Sequence, residues 1–181
     1  MMRRMTTNPP STSPAVVRLT QYSTAELREI AGDDDDPFGV SGAGLTWLPK
    51  QEHFGIRRDG RLVAHTGLVT LPLAVGEVET EVVGFGGVVV APELRGHGLA
   101  RLVVTAALEH ARTTGPQYGL LFCRPHLLAL YQRLGWRALE EDVHVEQPDG
   151  PALMPLRTMW IPLRDGVHWP SGPVRLRSLP M

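Results

Sequence analysis

Hydrophobic and polar positions change their period several times along this chain, and each change marks an element. Ala15 to Thr20 is a short β-branched run and predicts a first strand. Ser23 with Glu26 three residues later is a capping box, predicting a helix over Thr24 to Ala31 that Gly32 stops. Asp33 to Gly44 holds four aspartates, Pro37 and three glycines and predicts a loop. From Glu52 the pattern becomes that of strands. Glu52 to Arg58 and Arg61 to Leu73 flank Asp59-Gly60, a strong hairpin signal, and Val78 to Ala91 follows the Gly76-Glu77 turn. Leu99, Leu102, Val103, Ala106, Ala107 and His110 recur at three- and four-residue steps, one face of a helix ending near Gly115-Pro116. Tyr118 to Cys123 reads as a buried strand and Leu127 to Leu134 as a short helix closed by Gly135. Trp136 to Val145 and Arg157 to Leu163 read as two further strands. The order is α+β, without an internal repeat.

Composition narrows the classes open to such a domain. With 181 residues, 43% of them hydrophobic, the chain suits one core rather than two. Lys plus Arg number 18 against 19 Asp plus Glu, a balance that offers no broad attraction to nucleic acid or to an anionic membrane. The lone Cys123 allows neither an internal disulfide nor a cysteine metal cluster, and the seven histidines include no pair at helical metal-binding spacing. No metal is expected. Residues 1–14 are polar and proline-rich and lack the apolar stretch of a secretory signal, so a disordered tail and a cytoplasmic location are expected. The body is expected over 15–164, with 165–181 as a C-terminal extension. A homodimer stays open.

The segment richest in chemistry runs from Val88 to Ala100. A strand passes through a turn at Pro92 into Arg95-Gly96-His97-Gly98, which opens directly into the amphipathic helix at Leu99-Ala100. The first turn of a helix leaves N–H groups unpaired and its dipole is positive there. Small residues let a phosphate approach those donors, and Arg95 adds a fixed charge with a planar fork of donors. A pyrophosphate cradle and a plain packing turn are both compatible with this pattern. The P-loop is excluded by the lack of a Gly-Lys-Ser/Thr end, and the dinucleotide fingerprint by the spacing.

Arg95-x-x-Gly98-x-Ala100 resembles the Gln/Arg-x-x-Gly-x-Gly/Ala signature of the GNAT superfamily of N-acetyltransferases. Leu130-Tyr131-Gln132-Arg133-Leu134-Gly135-Trp136 resembles the family's Leu-Tyr-x-x-x-Gly-Phe element at the usual distance downstream. The likeness spans about residues 50–145. It implies a mixed, mostly antiparallel central sheet with flanking helices, splayed after the strand that ends at Val90. Acetyl-CoA would enter the split as acyl donor. Its pantetheine arm would pair with the main chain of Val88, Val89 and Val90, a form of β-augmentation. Its pyrophosphate would lie on Arg95, Gly96, His97, Gly98, Leu99 and Ala100. The reaction implied is direct attack by the amine of a small-molecule acceptor on the thioester, with no acyl-enzyme. Cys123 is then a packing residue.

The same resemblance makes Tyr131 the general acid toward the departing thiolate. The plainer alternative is a half-buried helix residue beside Trp136. No base is assigned: Glu79, Glu81, His65 and His126 are options, and an already neutral amine is another. Two narrower likenesses bear on the acceptor. Ala64-His65 with Gly67-Leu68, and Trp169-Pro170-Ser171-Gly172, resemble nodulation protein A. The layout from Gly84 to Trp136 is similar to aminoglycoside 2'-N-acetyltransferases. The chain departs from both, with Arg95 where the first has an acid and Gly86-Gly87 where the second have one. An amino sugar is one acceptor consistent with these likenesses. Asp33 to Asp36 could attract a cationic acceptor or be a solvated loop. Trp169 could stack on an acceptor or fill a gap in the core. The competing class is a non-catalytic acyl-CoA sensor or interaction module.

Overall fold

The computed structural model describes residues 14–181. Apart from Pro14, the tail expected over 1–14 lies outside the described residues. The elements follow in the order β1 (Val16–Leu19), α1 (Thr24–Ala31), β2 (Glu52–Arg58), β3 (Arg61–Val75), β4 (Val78–Val90), α2 (Leu99–Ala111) and β5 (Tyr118–Cys123). Then come α3 (Leu128–Arg133), β6 (Arg137–Ala138), β7 (Val143–Val145), β8 (Ala152–Leu153), β9 (Arg157–Pro162) and β10 (Val174–Leu176).

Local signals do what their chemistry requires. The Ser23 hydroxyl accepts from the Glu26 N–H at 3.3 Å, and the Glu26 carboxylate accepts from the Ser23 N–H at 2.9 Å. Asp59 and Gly60 both take positive φ, 52° and 81°, the left-handed pair that a two-residue hairpin needs. Asp36 accepts from the N–H groups of Val40 and Ser41 and from the Ser41 hydroxyl. It thereby shapes the loop before β2 into a fixed turn. The hydroxyl bond is the main reason its carboxyl is held below the ordinary range.

One sheet carries the molecule. Its strands run β6-β9-β5-β4-β3-β10-β7-β8, with β2 also on β3 and β1 on β2. All pairs are antiparallel except β4 with β5 and β10 with β7. The α+β, mostly antiparallel architecture expected from the sequence is the one observed. One face of the sheet packs on α1, α2 and α3 through a core that includes Ile30, Phe85, Val103, Leu121, Tyr131 and Trp136. The other face is covered by Leu45, Trp47 and Leu48 from the segment before β2 and by later parts of the chain, with Leu71, Val82, Leu120, Trp160 and Met181 in its core.

Two stretches differ from the sequence reading. Trp136 to Val145 is not one strand: Arg137–Ala138 pairs with β9, whereas Val143–Val145 pairs with β10 and β8 on the other wing of the sheet. Glu140, Glu141 and Asp142 lie exposed between them. Three consecutive acids cannot be buried in a central strand, so the chain crosses over there. The second stretch is the C-terminal one. Trp169 packs on Tyr118 and Trp160, at 5.2 Å between ring centroids in both pairs. It fills a gap in the core. Val174–Leu176 is itself inserted between β3 and β7.

Candidate active site

The sheet opens within β4 rather than after its end. Parallel pairing with β5 covers only Val82 to Phe85, opposite Tyr118 to Leu121, while β4 continues to Val90. Beyond Phe85 the two strands part. On its other side β4 stays paired to β3, His65 opposite Val89 and Ala64 opposite Val90. Between them the register shifts: His65 to Gly67 on β3 faces Gly86 to Val89 on β4. The additional β4 residue is a bulge, and Gly87 there has φ 61°, a region open to glycine and costly for most residues.

The bulge is held from behind. His65 is 1% exposed, and its Nδ1 donates to the Gly87 carbonyl at 2.8 Å. Since that nitrogen carries the proton, Nε2 must accept, and it does so from His53 Nδ1 at 3.0 Å. Tyr22 stacks on the His65 ring, centroids 3.6 Å apart and planes 4° from parallel. Burial pulls the His65 pKa down to about 4. Both of its nitrogens are occupied, so His65 braces the bulge and is not free to serve as base. Nor are the other options in the cleft: His126 is exposed at a short 3-10 turn, and Glu79 and Glu81 are exposed on β4 away from the opening, Glu79 against Arg177.

The split forms a cleft of about 330 Å³. Gly86, Gly87 and Val88 line its β4 side, and Leu121 to Arg124 its β5 side. Tyr131 reaches into it from α3, 6% exposed. Burial first, and the neighbouring Cys123 second, push the phenol well above its ordinary range, which keeps it protonated. Cys123 is buried too, its thiol pushed up to about 11 by burial, and a thiol in that state is a poor nucleophile. Packing is its role. Trp47, Leu48 and Met181, which pack on the opposite face of the sheet, line the cleft together with Lys50 and with Phe38 from the helix-face side.

The residues expected from the sequence to cradle a pyrophosphate lie beyond the end of β4. A 3-10 turn over Pro92–Leu94 leads to Arg95, and Gly98 with φ 79° caps α2 without any side-chain hydrogen bond. The first intrahelical bond runs from the Leu102 N–H to the Gly98 carbonyl at 3.1 Å. The donors before it remain open to a ligand. A Cβ at either Gly96 or Gly98 would meet no atom within 4 Å, so the approach is clear. Arg95 is exposed; its Nε donates to the Val90 carbonyl at 3.3 Å, which leaves the terminal nitrogens free to turn to a ligand. His97 leans on the carbonyls of Leu94 and Arg95. Leu99 is buried and Ala100 half-buried on the first turn. Among the described residues no cluster of three His, Cys, Asp or Glu could hold a metal, and no helix is long and apolar enough to cross a membrane.

Residues 44–139 match the model of the Acetyltransferase (GNAT) domain. The chain belongs to the GNAT acetyltransferases. Solved structures share the fold across nearly the whole molecule. The YhbS GNAT N-acetyltransferase of Escherichia coli, in complex with CoA, aligns with a TM-score of 0.59 at 19% identity over 94% of this chain and 93% of its own. A GNAT acetyltransferase from Brucella melitensis, in complex with acetyl-CoA, gives 0.55 at 17% over 90% and 96%. ElaA of Escherichia coli gives 0.54 at 20% over 82% and 99%. No curated protein matches the sequence.

Sequence reasoning placed Val88, Arg95–Ala100 and Tyr131 around one opening. It missed Lys50, Trp47 and Phe38, which lie far from either motif in the chain. The one available signal was that Lys50 is the sole lysine, and nothing in its neighbours marks it.

Proposed function

We propose that this GNAT protein transfers an acetyl group from acetyl-CoA to the amine of a small acceptor by direct attack in a ternary complex. The observation that carries the reading is the parting of β4 and β5 after Phe85, with open helix donors at one end and a buried phenol inside. A pantetheine arm is slender enough to follow the unpaired edge over Val88, Val89 and Val90, where main-chain pairing substitutes for the absent strand. The diphosphate then meets Arg95 to Ala100, where charge, dipole and unpaired N–H groups coincide.

The acceptor amine enters with its lone pair free and attacks the thioester carbonyl carbon. The carbon–sulfur bond breaks, and the sulfur takes the Tyr131 proton as it leaves. Burial keeps that proton on Tyr131 until the thiolate forms. Water and the returning phenolate carry away the proton lost by the amine. No Cys123 adduct is involved.

Thermal denaturation with CoA tests the first half. Specific binding to the native state raises the midpoint by mass action, and the rise is expected to vanish in Arg95→Glu. An unchanged midpoint in the parent protein rejects the reading. Thiol release from acetyl-CoA over a panel of amines tests the second half. Binding without release for any amine would make the protein an acyl-CoA sensor, a reading that the lack of a carboxylate side chain in the cleft lining supports and Tyr131 opposes.

A further inference from the structure

The half of the cleft away from α2 carries a cation, Lys50, that forms no ion pair among the described residues. Lys50 lies in a trough whose floor is two facing glycines. A Cβ on Gly67 would fall 2.5 Å from Lys50 Cγ, and a Cβ on Gly86 would fall 2.6 Å from its Cε and 3.2 Å from its Nζ. Gly67 and Gly86 are paired across β3 and β4, so the stem crosses the sheet here and delivers the amine to the edge of the split. The trough exists because both positions lack side chains.

At its tip the amine has one weak protein contact, to the Leu48 carbonyl at 3.4 Å. Among the described residues Lys50 makes no ion pair, and no Asp or Glu lines the cleft. Met181 closes the floor on Gly84, and its main-chain carboxyl carbon lies 3.5 Å from the same Cβ position on Gly86, flanking the amine without forming an ion pair with it. Arg124, the other cation at the mouth, gives two hydrogen bonds to the Gly39 carbonyl. Phe38, Trp47 and Leu48 form apolar walls. A half-buried ammonium that no carboxylate side chain contacts can take an anion from a ligand.

Resting on the acetyltransfer reading above, we propose that Lys50 is an anion subsite, and that the acceptor is a small amino carboxylate with an apolar body. Its carboxylate pairs with Lys50 and its body lies against Phe38 and Trp47. Its amine points across Gly86 into the split. Burial already lowers the Lys50 pKa to about 8; a bound carboxylate would draw it back up. A polycationic acceptor meets like charge at the same point, which sets aside the aminoglycoside likeness on physical grounds.

The test compares matched pairs: phenylalanine with phenylalaninamide, and methionine with methioninamide, followed by thiol release from acetyl-CoA. Alongside, N-acetylphenylalanine and its amide are titrated into CoA-loaded protein by calorimetry, a readout that needs no turnover. The acids are expected to win by roughly 10- to 100-fold, the weight of one charge-assisted hydrogen bond. Lys50→Met should erase that preference, Lys50→Arg should keep it and Lys50→Glu should reverse it. The proposal is overturned if the amides bind or react as well as the acids in the parent protein. It is overturned equally if Lys50→Arg abolishes turnover while the acid preference in binding survives Lys50→Met, since Lys50 would then be a base. Absence of any CoA-induced thermal shift would instead reject the acetyltransfer reading itself.

Discussion

In the reading proposed above, the two halves of the cleft use different materials for the same task, holding a negative group. On the α2 side the donors are main chain: the first turn after Gly98, open to solvent, assisted by an exposed Arg95. On the opposite side the donor is one side chain, Lys50, half-buried and threaded over Gly67 and Gly86. Main-chain donors are fixed by the helix and tolerate changes of side chain as long as the backbone keeps its path. A threaded lysine depends on every residue that shapes its trough. The difference teaches where specificity can vary: a constant diphosphate suits the first construction, and a variable acceptor suits the second.

The largest expected effect comes where the halves meet. Tyr131→Phe removes the proton for the leaving thiolate and should lower kcat about 10²- to 10⁴-fold. The CoA-induced thermal shift should be retained, and steady-state kinetics beside denaturation scans show both. Loss of the shift instead would make Tyr131 a packing residue for the donor half.

The brace behind the bulge gives the next effect. The folded-state pKa of His65, about 4, lies below its ordinary 6.5. In that window the unfolded chain binds more protons, so stability is lost as pH falls from 6.5 toward 4. The total is on the order of 3 kcal/mol. Urea unfolding at stepped pH should show this slope, and His65→Gln should flatten it. Glu26 and Asp36, whose pKa values are lowered, add their own losses only at more acid pH.

Gly67→Ala sharpens the contrast between the halves. Its methyl would displace the Lys50 stem, at an overpacking cost of about 1–3 kcal/mol, lowering the melting temperature and weakening the preference for amino carboxylates. CoA binding should be unaffected. The smallest effect is on the donor side, where Arg95→Gln removes an exposed charge and should weaken CoA by roughly 1 kcal/mol, about fivefold. Calorimetry with CoA reads it directly. A much larger loss would mean that the side chain, not the helix terminus, holds the diphosphate.

What local chemistry governs was open to the sequence. The Ser23–Glu26 box, the Asp59-Gly60 turn and the helix face from Leu99 to His110 are each decided within a few residues, and each appears at its expected place. The family likeness pointed to Arg95 to Ala100 and to Tyr131 as proposed site residues for the same reason: each motif is contiguous. The break at Glu140 to Asp142 was misread because alternation alone cannot say which neighbour a strand will find.

The sequence by itself thus determined the α+β order, the strand-to-helix loop and the GNAT likeness, since those depend on period, turn chemistry and short spacing. Only the tertiary structure decided where β4 leaves β5, why His65 is spent on the bulge, and that Lys50 reaches the opening. Those three depend on pairing register and on which side chains are missing at Gly67 and Gly86. Such contacts join residues distant along the chain, and no local pattern encodes them.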